Sequence, residues 1–100
     1  MGTPTDYLYN LSINGNQLTF SYKIYDSPDS QWWVIYRGVM PSFKDINADK
    51  LYWNWISSHN QTANEGTIKH DYSFNRGEIY TIALFRNNNW GLADYREIIA

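Results

Sequence analysis

The chain has no cysteine, so it can hold neither a disulfide framework nor a thiolate metal site. It has no apolar run near the roughly 20 residues that span a bilayer. Its net charge is only -2, which supplies no basic face for nucleic-acid phosphates and no pull toward an anionic membrane. No helix of useful length can be placed. No Gly-x-Ser-x-Gly elbow and no nucleophile–base set occurs, so no catalytic residue is assigned. A catalytic carboxylate pair needs a cleft, and a small sandwich has no room for a deep one. The two histidines, His59 and His70, have no zinc-ligand spacing. Asp26, Asp29, Asp45 and Asp49 could meet at one end around calcium, but no Asp-x-Asp-x-Asp-Gly loop is present. No metal or other cofactor is therefore assigned. Asn10-Leu11-Ser12 and Asn60-Gln61-Thr62 match the glycosylation acceptor pattern, which recurs by chance in so Asn-rich a chain.

What is present in excess is aromatic: 18% of the 100 residues are Phe, Trp or Tyr. One domain of this length has a modest core, so some of these rings should lie on the surface. The organising stretch is Gln31-Trp32-Trp33-Val34-Ile35-Tyr36-Arg37-Gly38. Its residues suit a pleated surface, and no polar residue interrupts it from Trp32 to Tyr36. Such a run reads as a strand covered on both faces.

The rest of the chain reads as short strands between turns. Tyr7 to Ile13 alternates, with Tyr7, Tyr9, Leu11 and Ile13 on one face. Asn14-Gly15 signals a hairpin, with Asn16 lengthening the turn. Leu18, Phe20, Tyr22 and Ile24 then point inward from a strand over Gln17–Tyr25. Asp26 to Ser30 is a turn cluster containing Pro28. Val39 to Lys50 is a longer connection, with a possible helical turn at Ser42–Asp45. Leu51–Ser57 is a strand, and Ser58–Gly66 a polar loop. Thr67–Phe74 alternates, with Ile68, His70, Tyr72 and Phe74 in phase. Asn75-Arg76-Gly77 turns the chain. Glu78–Arg86 is a second near-continuous apolar run, hence the other central strand. Asn87–Gly91 is a turn, and Leu92–Ile99 a last strand. Residues 1–6 read as a linker remnant, with Met1-Gly2 an added start and no visible signal peptide. Residues 7–100 read as one domain. Seven short strands at near-regular spacing predict an all-β, seven-stranded antiparallel sandwich.

Three segments carry a resemblance: Trp32 to Arg37, Leu51 to Ile56, and Gly77 to Phe85 followed by an Asn-rich turn. Over residues 17 to 98 the chain resembles the immunoglobulin-like or fibronectin-type-III-like accessory modules of secreted bacterial hydrolases and surface proteins. The resemblance implies an immunoglobulin-like sandwich and a place beside other domains of a larger parent protein. It also implies an extracellular or cell-surface location, for which eleven Asn and short polar loops are a compositional hint. Tyr80 stands where such a sandwich fixes a corner through a tyrosine hydroxyl.

The aromatic surplus supplies the candidate ligand site. Trp53 and Trp55 lie two apart on one strand face, at about 7 Å, and can offer a platform to successive sugar rings. They can equally be the core face, with Leu51 in phase. Trp90 in its turn either folds back over the domain or stands out as an anchor. Asn88 and its neighbours Asn87 and Asn89 either hydrogen-bond ligand hydroxyls or serve turn chemistry. Trp32 is expected in the core as a strand-centre filler, and Trp33 points the other way. Trp53, Trp55, Trp90, Trp33 and Asn88 are thus the candidate ligand-binding residues. The function expected is a non-catalytic carbohydrate-binding module for a neutral polysaccharide. The other reading is a structural spacer or protein-interaction domain.

Overall fold

Alternating and continuous apolar runs become seven strands in the computed structural model, which describes residues 6–25, 31–39, 50–56, 65–86 and 91–100. They are β1 (Tyr7–Asn14), β2 (Gln17–Lys23), β3 (Gln31–Arg37), β4 (Lys50–Trp55), β5 (Glu65–Asp71), β6 (Ile79–Arg86) and β7 (Gly91–Ile99). They form two sheets, ordered β1-β2-β5 and β4-β3-β6-β7, and every pairing is antiparallel. Among the described residues there is no helix, and none is long and apolar enough to cross a membrane. The expected helical turn at Ser42–Asp45, the Asp26–Ser30 turn, the Asn87–Asn89 stretch and the four calcium candidates lie outside the described residues.

The uninterrupted apolar run and the near-continuous one are the central strands of the larger sheet. β3 is flanked by β4 and β6, and β6 by β3 and β7. All residues from Gln31 to Tyr36 are buried, as a strand covered on both faces requires. The space between the sheets is filled by Leu8, Leu18, Phe20, Tyr22, Ile24 and Ile68 from one side. Trp33, Ile35, Ile56, Tyr80, Ile82 and Leu84 fill it from the other. Phe20 meets Trp33 edge-on, with centroids 5.1 Å apart.

Trp33, not Trp32, therefore enters the core. Both were placed by the same period of two, which fixes that they diverge but not which face meets the partner sheet. Trp32 is also buried, at 6% exposure, but on the outer face. Ile82 and Leu84 are fully buried in the core, whereas Tyr36 is fully buried in the outer cluster.

A second departure is in β1. Leu8 is fully buried and Tyr7 exposed, the reverse of the simple alternation. The register shifts by one residue between Tyr9 and Ser12, and Asn10 there has φ 53°. This bulge puts Leu8 inward on one side and Leu11 and Ile13 inward on the other. Asn is among the few residues that tolerate that backbone region.

The hairpin after β1 closes as expected, with Asn14 opposite Gln17 and Gly15 at φ 65°. β5 begins at Glu65, inside the expected loop, because Glu65 pairs with Lys23 across the ladder and forms a 3.6 Å ion pair with it. β5 ends at Asp71, opposite Gln17, where its partner strand begins. The chain then stays on the core: the Tyr72 N–H donates to the Asn16 carbonyl at 2.8 Å, and Phe74 is buried.

The corner after Phe74 is held as expected. The Asn75 N–H donates to the Tyr80 hydroxyl at 2.8 Å, and Tyr80 is 1% exposed. Gly77 supplies φ 83° for the turn.

Asp6, read as the last linker residue, belongs to the fold. It is buried, accepts the Tyr25 N–H at 2.9 Å and lies 3.8 Å from Arg86 Nε. The side where β1 meets β7 is sealed by side chains. Asp94 accepts the Leu8 N–H at 2.8 Å, and Arg96 Nε donates to the Leu8 carbonyl at 3.2 Å. The edges of the larger sheet are also blunted. Asn54 accepts the N–H of Trp55, and Asp94 that of Tyr95, each at 2.9 Å.

Candidate functional site

The outer face of the four-stranded sheet carries the aromatic surplus. Its residues follow from register. In one row Trp55 lies opposite Trp32, Trp32 opposite Phe85, and Phe85 opposite Leu92. In the next, Trp53 lies opposite Val34, Val34 opposite Ala83, and Ala83 opposite Tyr95. The central positions, Trp32, Val34, Tyr36, Ala83 and Phe85, form a second buried cluster with Trp55 packed against it. The edge positions are exposed: Trp53, Tyr95 and Leu92 each show about two-fifths of their surface.

The rings are crossed. Trp32 stacks on Phe85, with planes 21° apart and centroids at 4.6 Å. Trp53 stands on edge to Trp32, at 76° and 5.8 Å. It also stands on edge to Trp55, at 82° and 5.6 Å. Trp53 and Trp55 do share a strand face, and it is the outer one rather than the core face. They do not form one flat platform, however, because edge-to-face packing is the favoured geometry for rings this close.

Trp53 and Trp55 are thus brought together, with Trp53 exposed and Trp55 half-buried. Trp33 is not part of this face. It is fully buried in the core, against Phe20, Tyr52 and His70, and cannot stack on a ligand there. Trp90 and Asn88 lie outside the described residues. Tyr95 and Leu92 were not picked out from sequence. The only signal for Tyr95 was a large ring in a strand otherwise rich in charge, with Asp94, Arg96 and Glu97 around it.

Behind Trp53, on the inner face of β4, Tyr52 stacks on His70 of β5 at 4.1 Å and 28°. This stack joins the two sheets on the side away from the β1–β7 seam. Burial holds the His70 pKa below the ordinary 6.5, and the neighbouring Asp71 carboxylate opposes that shift. Tyr22 is also pushed up by burial, and its hydroxyl has no partner in the core.

Among the described residues, no three His, Asp or Glu side chains gather where they could hold a metal ion. His59 lies outside the described residues. At the other end of the sheet is an exposed aliphatic pair. Ile79 pairs with Ile99 on the outer face, and both are exposed. Val39, also exposed, follows Gly38, whose N–H donates to the Ile79 carbonyl at 2.7 Å.

No protein-family model matches this chain, and neither a curated protein nor a solved structure is significantly similar to it.

Proposed function

We propose that this domain is a non-catalytic carbohydrate-binding module, held to a neutral polysaccharide by exposed aromatic side chains on the outer face of the four-stranded sheet. The observation that carries the reading is Trp53: 42% exposed, beside Trp55, on a face whose two nearest rows hold no charged residue. An indole left in water at a sheet surface is a ready partner for the apolar C–H face of a sugar. The domain is read as an immunoglobulin-like sandwich of the fibronectin-type-III kind. The strand order β1-β2-β5 against β4-β3-β6-β7 and the Tyr80 corner support that reading. Its role is that of an accessory module within a larger parent protein, outside the cell or at its surface. A fold of this kind hosts unrelated activities, so the argument rests on the face and not on the architecture.

The test is a screen of neutral glycans by affinity electrophoresis, with wild type and Trp53→Ala side by side. A site built on one or two rings should bind with a dissociation constant on the order of 10 µM to 1 mM. Binding should change little with salt, because no charge pair carries it. Retardation of the wild type that disappears in Trp53→Ala supports the reading. If no neutral glycan retards the wild type, the reading fails.

One observation favours the second reading, a spacer or protein-interaction domain. Ile79 and Ile99 are paired, aliphatic and exposed, at 39% and 65%. Such side chains offer nothing for sugars to stack on but suit the apolar centre of a protein contact. Ile99→Lys separates the two readings, because it should leave glycan retention intact and weaken only a protein contact.

A further inference from the structure

We infer that the glycan taken by this face is a single soluble chain whose sugars turn along its length, a neutral helical glucan, and not the flat surface of a crystalline polysaccharide. This inference rests on the carbohydrate reading of Trp53 and Trp55 given above.

A packed polysaccharide presents a rigid plane. Rings that grip it must lie in one plane themselves. The Trp53 and Trp55 planes are 82° apart with centroids 5.6 Å apart, so at most one of them can lie flat against such a surface. Trp53 cannot swing into line without cost, since it stands edge-on to Trp32 as well, at 76°. Trp32 itself is buried and stacked on Phe85, so it offers no third exposed ring. The remaining exposed ring of the two rows is Tyr95, on the far edge strand β7. Three strand intervals separate β4 from β7, and a sheet twists by roughly 20–25° per interval. The normal to the face therefore turns by roughly 60–75° between Trp53 and Tyr95. The centre of both rows is buried, so the exposed surface at Trp53 is set by the local ring packing, which is non-planar.

The same geometry suits a turning chain. Two indoles near a right angle form a corner. One pyranose can seat its C–H face on one ring, and the next, turned, can seat its own C–H face on the other. The next sugar of a helical chain is rotated relative to the first, as the Trp55 plane is to the Trp53 plane. Charge is unneeded: the rows from Trp55 to Leu92 and from Trp53 to Tyr95 contain none, so hydroxyls rather than carboxylates or sulfates fit beside them.

The experiment compares two forms of glucan. The isotope-labelled domain is titrated by NMR with soluble α-1,4 and β-1,3 gluco-oligosaccharides. In parallel it is incubated with microcrystalline cellulose and chitin, and the unbound fraction is measured. The expected result is a saturable shift of the Trp53 and Trp55 indole N–H signals with a soluble series, and no retention on the crystals. Trp53→Ala should weaken the soluble binding by about tenfold or more, with the spectrum showing the fold intact. Trp53→Tyr, which keeps a ring, should recover part of the loss. Retention on the crystals that depends on Trp53 overturns the inference and leaves the carbohydrate reading standing. Shifts confined to residues away from the Trp53–Trp55 corner also overturn it. No shift with either soluble series and no retention overturns the inference, while the neutral-glycan screen decides the carbohydrate reading.

Discussion

Trp32 and Trp33 are neighbours on β3 and serve opposite faces of the same sheet. Trp33 goes into the space between the sheets, edge-on to Phe20 and beside Tyr52 and His70. Trp32 goes outward, flat on Phe85 and against the edge of Trp53. The inner face is closed by a second sheet, so the rings at the centre between the two, Phe20, Tyr22, Trp33 and Tyr80, are fully buried. The outer face has a buried centre and exposed margins, with Trp53, Tyr95 and Leu92 reaching water. A ring between two sheets is held from both sides and contributes to stability. A ring at the margin of an outer layer is held from one side, and its free side is open to a ligand. Exposure, and not residue type, separates the structural tryptophan from the candidate binding one.

The largest test of that difference is Trp33→Ala, which should cost about 3–5 kcal/mol by leaving a cavity in the core. For a domain of this size such a loss approaches total stability, so urea unfolding of the variant should begin near zero denaturant. If Trp33→Ala is mild and Trp53→Ala is severe, the two faces have been assigned the wrong way round.

Tyr80→Phe comes next. It removes the acceptor for the Asn75 N–H and should cost about 1–3 kcal/mol, measured as a lowered urea midpoint. Tyr22→Phe is its control. The Tyr22 hydroxyl is buried without a partner, so its removal should be neutral or stabilising. Equal losses from both tyrosines would show that ring packing rather than the corner bond is being measured.

Trp53→Ala loses two edge-on ring contacts and should cost about 1–2 kcal/mol, well below Trp33→Ala, while the fold persists and glycan binding is lost. A coincident loss of fold and binding would make Trp53 part of the outer cluster and end its claim as a free ring.

The smallest effect expected is with pH. The His70 pKa is held below the ordinary 6.5, so the unfolded chain takes up that proton first as pH falls. Stability is therefore complete above about pH 6.5 and declines below it, until the folded histidine also protonates. His70→Phe keeps a ring against Tyr52 and should remove that part of the slope between about pH 6.5 and 5, above the carboxylate range. Thermal midpoints across this window, in both proteins, measure it. A wild-type midpoint that stays flat there would mean that His70 is not desolvated by the stack.

The legible part of this protein is what a strand's own chemistry dictates. The uninterrupted run Trp32–Tyr36 and the near-continuous run Tyr80–Phe85 mark strands covered on both faces, and both are central. The alternation of Leu18, Phe20 and Tyr22 marks an inner face, and Asn14-Gly15 marks the hairpin beside it. Trp53 and Trp55 share a face because side chains two apart on a strand must. These are local facts, set by backbone period and turn geometry within a few residues. Tertiary structure decided the rest. A period of two cannot say which side the partner sheet lies on, so Trp33 rather than Trp32 became core. One inserted residue at Asn10 reverses the faces of β1 before it, so Leu8 turns inward while Leu11 and Ile13 keep theirs. Asp6 joins the domain through residues 25, 31 and 86, which are distant in the chain. Trp53 crosses Trp55 and also meets Trp32, a ring brought in from another strand, edge-to-face. Each of these depends on contacts between segments far apart in sequence, which only packing brings together.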